Sequence, residues 1–200
     1  MKKVICLLVS LYLTGCSPKD IAPNENVEAL HKRFHGKYKP IISIASEEVD
    51  VNLDGKSSLD LFQEYPYLEQ YTLQINIFGP NQHQPEPAFL FTQWWPEQYV
   101  SIGFSKQWNG EPLAYDPSYY ANFAMQGGTH TFSFSADVKQ IFVKPNEKEV
   151  EHPFRWHLPE SVTVEGKEYI RVVNKRRLFT TDGVKDVQIV TLYKRFQTTT

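Results

Sequence analysis

Apolar and polar residues alternate along much of this chain. Tyr71, Leu73, Ile75 and Ile77 are separated by Thr72, Gln74 and Asn76. Successive side chains of a strand point to opposite faces, so this spacing predicts a half-buried strand with one polar face. Val100, Ile102 and Phe104 repeat the pattern around Ser101 and Gly103, and Tyr119, Ala121, Phe123 and Met125 repeat it again. The stretch Gln126-Gly127-Gly128 follows, then Phe132 and Phe134. That order predicts a hairpin whose glycines supply positive φ at the turn. Further on, SVTVEGKEYIRVV breaks at Glu165-Gly166, and Asp182-Gly183 precedes VQIVTLYKRF, so the C-terminal part reads as a meander.

Helical spacing is rarer. Val27, Leu30 and Phe34 share one face of a segment from Glu25 to Phe34, a short amphipathic helix that Gly36 would stop. Ser57-Ser58-Leu59-Asp60 matches a capping box, which predicts a second short helix, SSLDLFQEY, with Leu59 and Phe62 toward the core. Proline-rich loops fall at 79–87, 105–117 and 144–160. The expected fold is therefore mainly all-β, with about eight to ten antiparallel strands and one or two short helices. Regular strand spacing of this kind suits a barrel or a sandwich.

The N-terminus carries an address. Lys2 and Lys3 precede an apolar run, Val4 to Leu13, that is too short to span a bilayer comfortably. It ends in Leu13-Thr14-Gly15-Cys16, which resembles the lipobox of bacterial lipoproteins. The resemblance implies that residues 1–15 are a signal peptide and that Cys16 carries palmitate-type acyl chains. Residues 16–24 are then a tether, and residues 25–200 the folded domain. Several acyl chains hold a protein to a membrane almost permanently, since each buried CH₂ contributes about 0.8 kcal/mol. Ser17 stands where an Asp would imply inner-membrane retention, so the outer membrane is expected, with either face open. Cys6 leaves with the signal and Cys16 is consumed by lipid, which excludes a disulfide, a thiolate metal site and a cysteine nucleophile.

Charge excludes one partner class. Two of the 21 basic residues leave with the signal, against 23 acidic ones, so the mature chain carries −4. A nucleic-acid binder would need a basic face. The one basic cluster, Lys175-Arg176-Arg177, reads as a solvated strand end. Aromatic residues make up 14% of the chain, which suits a β-rich core or an aromatic-lined cavity.

Three short motifs resemble lipocalin-like bacterial lipoproteins. Gly36-Lys37-Tyr38, just after the first helix, is similar to the G-x-W that opens lipocalin-like domains, with Tyr in place of Trp. The end of the chain, Tyr193-Lys194-Arg195, looks like their last strand. Residues 50–61 match the D-x-N-x-D-G-x-x-S-x-D-L segment that often follows their first strand. The resemblance implies a lipocalin-like barrel with a helix on one side, and no particular ligand.

Candidate chemistry is sparse. The chain has no G-x-S-x-G, H-E-x-x-H, phosphate-binding loop or dinucleotide fingerprint, so an enzyme is not expected. His31 and His35 have the i, i+4 spacing of metal ligands but no carboxylate between them, and His152 and His157 read as loop residues beside Trp156. Trp94 and Trp95 are adjacent, so on a strand they face opposite ways. With Trp108, Tyr115, Tyr119 and Tyr120 they offer a platform for a glycan or apolar ligand, or else they are packing residues at the barrel ends. Asp50, Asn52 and Asp54, with Gly55 and the Lys56 carbonyl, occupy the first positions of a calcium loop. The closing Glu is absent; Asp60 stands one place early and is equally a helix cap. A structural calcium is the one cofactor expected. The functional expectation is a small-molecule binding or scaffold module, with a small apolar molecule as the ligand; the alternative is a filled barrel that engages an envelope protein or glycan.

Overall fold

The computed structural model describes residues 26–145 and 158–199. Cys16, the signal and tether, and His152, Trp156 and His157 lie outside the described residues. Among the described residues nine strands follow one α-helix, with a single 3-10 turn at Leu68–Gln70: α1 (Val27–Phe34), β1 (Gly36–Val49), β2 (Ser58–Asp60), β3 (Leu73–Phe78), β4 (Ala88–Ser101), β5 (Tyr120–Phe134), β6 (Gln140–Val143), β7 (Ser161–Glu165), β8 (Tyr169–Thr180) and β9 (Gly183–Gln197). Every pairing is antiparallel. β1 pairs with β3 at its start and with β9 along most of its length, so eight strands close into a barrel consistent with the lipocalin-like type. β2 is an extra short strand on β1. Pro40 lacks a ladder donor, and β1 accommodates it with a bulge between Pro40 and Ile42.

α1 forms as its pattern predicts. The Asn26 side chain caps it by accepting the Ala29 N–H at 2.8 Å, and Leu30 and Phe34 are buried. They join a cluster at one end of the barrel with Tyr38, Leu73, Ile75, Phe134 and Ile170. A second apolar cluster fills the other end, with Ala45, Leu61, Tyr65, Trp95, Leu178 and Ile189. Burying each such side chain contributes about 1.5–3 kcal/mol. A third, smaller cluster gathers Val100, Trp108 and Phe179, and with no disulfide expected the three together hold the fold.

The expected Gln126-Gly127-Gly128 turn is not a turn. β5 runs unbroken from Tyr120 to Phe134, and Gly127 pairs with Trp94 on β4. A Cβ at Gly127 would lie 2.6 Å from the Trp94 ring. The glycine is there for close approach of an aromatic ring, and not for positive φ. The second expected helix is also absent. Ser58–Asp60 pairs with β1 instead, and the chain then makes one helical turn, with the Tyr65 N–H bonded to the Leu61 carbonyl. Leu61, not Leu59, enters the core; Leu59 is exposed. The alternation seen at Val100, Ile102 and Phe104 outlasts its strand: β4 ends at Ser101 and Phe104 is fully exposed.

Candidate functional site

Between the two apolar clusters lies a polar layer. On β4, Gln93 separates Phe91 of the first cluster from Trp95 of the second; on β8, Asn174 and Arg176 separate Val172 from Leu178. Gln93 and Asn174 exchange amide hydrogen bonds across the barrel at 3.0 and 3.2 Å, and the Gln93 amide also donates to the Tyr193 hydroxyl at 3.0 Å. Ser43 and Thr191, both fully buried, share a hydroxyl bond of 2.9 Å. Nearer the second end, the Gln98 amide donates to the Phe179 and Val51 carbonyls at 2.8 Å and accepts the Phe179 N–H at 2.9 Å. β4 and β8 are not neighbours in the sheet, so these side chains bridge the interior. Buried polar groups that find such partners fix one arrangement of the core.

One part of this layer is open. A cavity of about 40 Å³ is bounded by Trp95, Glu97, Gln126, His130 and Arg176. That is room for a few waters or a small head group. An open groove of about 750 Å³ adjoins it, lined by Glu160, Lys175, Arg177 and Gln188; Leu158 and Arg176 border both spaces. The opening follows from strand lengths. β5 pairs with β6 only from Phe132 to Phe134, and β8 pairs with β7 only from Tyr169 to Val173, so the long ends of β5 and β8 have no strand between them among the described residues.

Arg176 corrects the reading of its cluster as a solvated strand end. Lys175 and Arg177 point outward and form ion pairs with Glu160 and Asp186, whereas Arg176 is only 8% exposed. Its guanidinium carbon lies 5.2 Å from the centre of the Trp95 ring, and Nη1 lies 4.0 Å from a Glu97 oxygen. Burial lowers its pKa, and the negative charge of Glu97 opposes that. Arginine stays protonated in proteins, so this is a buried cation. The signal was available: Val172, Asn174, Arg176 and Leu178 are the period-two positions of one strand face.

The two tryptophans face opposite ways, as adjacent strand residues must. Trp95 is 3% exposed and stacks edge-on with Tyr65 at 5.6 Å. Trp94 lies on the outer face, over Gly127. Trp108, Tyr115 and Tyr119 are elsewhere, gathered around Phe179 and Val100. The six aromatic residues therefore do not form one platform.

The loop after β1 closes on its own backbone. Asp50, 1% exposed, accepts the Asp54 N–H at 3.0 Å, the Gly55 N–H at 2.8 Å and the Thr181 hydroxyl at 3.0 Å. Asn52 accepts the Asp54 N–H at 3.0 Å, and Asp54 accepts the Lys56 N–H at 2.9 Å. Asp60 accepts the Phe62 N–H at 3.1 Å. Glu64, which sequence reasoning passed over, reaches back to accept the Val51 N–H at 3.0 Å. Burial raises its pKa to about 7; the Val51 N–H lowers it in part, and Asp50 and Asp54 add to the rise. For a hard cation the fit is partial. Asp50, Asn52 and Asp54 supply oxygens on one turn, but no group of three or more His, Cys, Asp or Glu side chains is gathered as a metal site among the described residues.

No protein-family model matches this chain, and no significant match is found among curated proteins or solved structures.

Proposed function

We propose that this chain is a small-molecule binding module, a lipocalin-like lipoprotein tethered to the outer membrane through acylated Cys16. The observation that carries the reading is the cavity at Trp95, Glu97, Gln126, His130 and Arg176, which leads into an open groove. Binding sites combine a concave apolar wall with a few convergent polar groups, and this one has both. Its charged lining favours a polar head group over the wholly apolar ligand that the aromatic content suggests. The role is binding without catalysis. A weak structural calcium in the Asp50–Asn52–Asp54 turn, with the Lys56 carbonyl, belongs to the same proposal. Its support is the spacing of those oxygens.

The test is native mass spectrometry of protein purified from its own membrane. A co-purifying small molecule is expected, and a bare acylated mass under the gentlest conditions would sink the reading. Cys16→Ala must also abolish acyl labelling; an unchanged label refutes the anchor.

A second reading, a filled barrel that engages an envelope protein or glycan, is favoured by one observation. Side-chain bridges from β4 to β8 cross the interior between apolar clusters.

A further inference from the structure

Arg176 is more than nine-tenths buried, and its Nε has no hydrogen-bond partner among the described residues. Glu97, at 4.0 Å, lies beyond hydrogen-bond distance. A guanidinium has five donors in a rigid fork, and leaving them dry in a protein interior is costly. The two glutamines that cross the barrel are answered, Gln93 by Asn174 and Tyr193, and Gln98 by Phe179 and Val51. Arg176 has its polar edge on the cavity, and its Nε has no hydrogen-bond acceptor among the described residues.

We propose that the cavity receives the carboxylate of a small organic acid, held side-on by the Arg176 guanidinium, with the rest of the molecule lying in the adjoining groove. The inference rests on the reading of this chain as a binding module and names its ligand class. Three features favour a carboxylate over other anions. The fork pairs two parallel N–H groups with a planar carboxylate. The cavity, about 40 Å³, suits a head group of a few atoms. Glu97 beside it adds a negative charge, which disfavours a doubly charged phosphate more than a singly charged acid. Trp95, under the guanidinium, holds the fork flat and shields it from water on that side. Gln126 and His130 on β5 line the opposite wall. Arg176 borders cavity and groove alike, so a molecule can keep its head on the guanidinium while its body extends outward.

The experiment uses purified full-length protein labelled with ¹⁵N, and follows the Nε–Hε signal of Arg176, assigned by its loss in Arg176→Met. Acetate, butyrate and hexanoate are titrated against the matching primary amides. The carboxylates should move the signal saturably, at concentrations about tenfold or more below those of the amides, the difference expected between charge-assisted and neutral hydrogen bonds. Arg176→Met, in which an apolar side chain replaces a buried charge, should fold and lose that preference. Equal shifts from acids and amides, with cavity signals still responding in Arg176→Met, overturn the carboxylate assignment and leave the binding-module reading standing. If neither series moves any signal from Gln126, His130 or Arg176, both readings fall.

Discussion

Tyr38 and Arg195 face each other across the register of β1 and β9, and both reach the last turn of α1. The Tyr38 hydroxyl donates to the Phe34 carbonyl at 2.6 Å, and the Arg195 guanidinium donates to the Arg33 carbonyl at 2.7 Å. The final carbonyls of a helix have no partner within it and carry partial negative charge, so a cation placed there is stabilising. Glu168 holds Arg195 in place with bonds of 2.6 and 3.0 Å. The pair thus fastens the helix to the barrel's seam. Arg195→Met should lower stability by about 2 kcal/mol and Tyr38→Phe by about 1 kcal/mol, measured by urea unfolding. Values within error of wild type would remove the fastening role.

The contribution of His35 to stability should fall as pH drops below about 6.5, while Glu64, with its pKa raised to about 7, takes up its proton first in the folded state and works in the opposite sense. His35 is buried at the end of α1, and its Nδ1 accepts the Ile77 N–H at 3.1 Å, which requires the neutral ring. Burial lowers its pKa below 6.5, and His31, stacked at 4.2 Å, lowers it further. The unfolded chain therefore takes up the proton first, and the stabilisation present above the unfolded pKa is lost as pH falls through the folded one. His35→Asn keeps an acceptor for Ile77 and cannot titrate. In thermal melts between pH 7.5 and 5 the variant should gain stability relative to wild type as pH falls, and a difference that does not change with pH would assign the effect elsewhere.

Gly127→Ala should destabilise by about 1–2 kcal/mol, because the new methyl meets the Trp94 ring and sits 3.0 Å from the Gln93 carbonyl. The Trp94→Thr background should recover most of that loss. A double-mutant cycle on chemical denaturation measures the coupling, and additive effects would show that the ring is not the obstacle.

Asp50→Ala should cost about 2 kcal/mol, since it strands the Gly55 amide and the Thr181 hydroxyl that ties the loop to the β8–β9 turn, while the Asp54 amide keeps the Asn52 side chain. Asp54→Ala, on the exposed side, should cost under about 1 kcal/mol in the absence of calcium. Calcium at about 1 mM should raise the melting temperature of wild type and not that of Asp54→Ala. No rise in wild type ends the calcium proposal while leaving the hydrogen-bonded clasp intact.

Much of the barrel was legible because its signal is local. Leu73, Ile75 and Ile77 alternate within one strand, and Asp182-Gly183 signals the two-residue turn Thr181-Asp182, so neither needs knowledge of a distant residue. Gly127 was misread because its reason lies on another strand: Gly-Gly in isolation means a turn, and only Trp94 across the register explains it. The Ser58–Asp60 segment failed for the same cause. The expected capping box from Ser57 to Asp60 does not form: pairing with β1 decided the backbone, and Asp60 instead accepts the Phe62 N–H of the turn that follows. At the candidate site the opposite facing of Trp94 and Trp95 was legible, though not which of them turns inward, whereas Arg176 was hidden inside a basic triplet whose outer members are solvated. Glu64 was invisible because nothing in its neighbourhood says that it folds back 13 residues to Val51.

The bridge from Gln98 to Phe179 has a kinetic consequence. Its partners are 81 residues apart, as are Gln93 and Asn174, and neither pair shares a strand ladder. Such contacts form only after most of the chain has been brought together, which makes folding slow and places closure of the interior late. They also deny the two halves separate lives. When β8 leaves, the amides of β4 lose their interior cover in the same event, so the two strands should exchange their protons with solvent together, at one shared free energy.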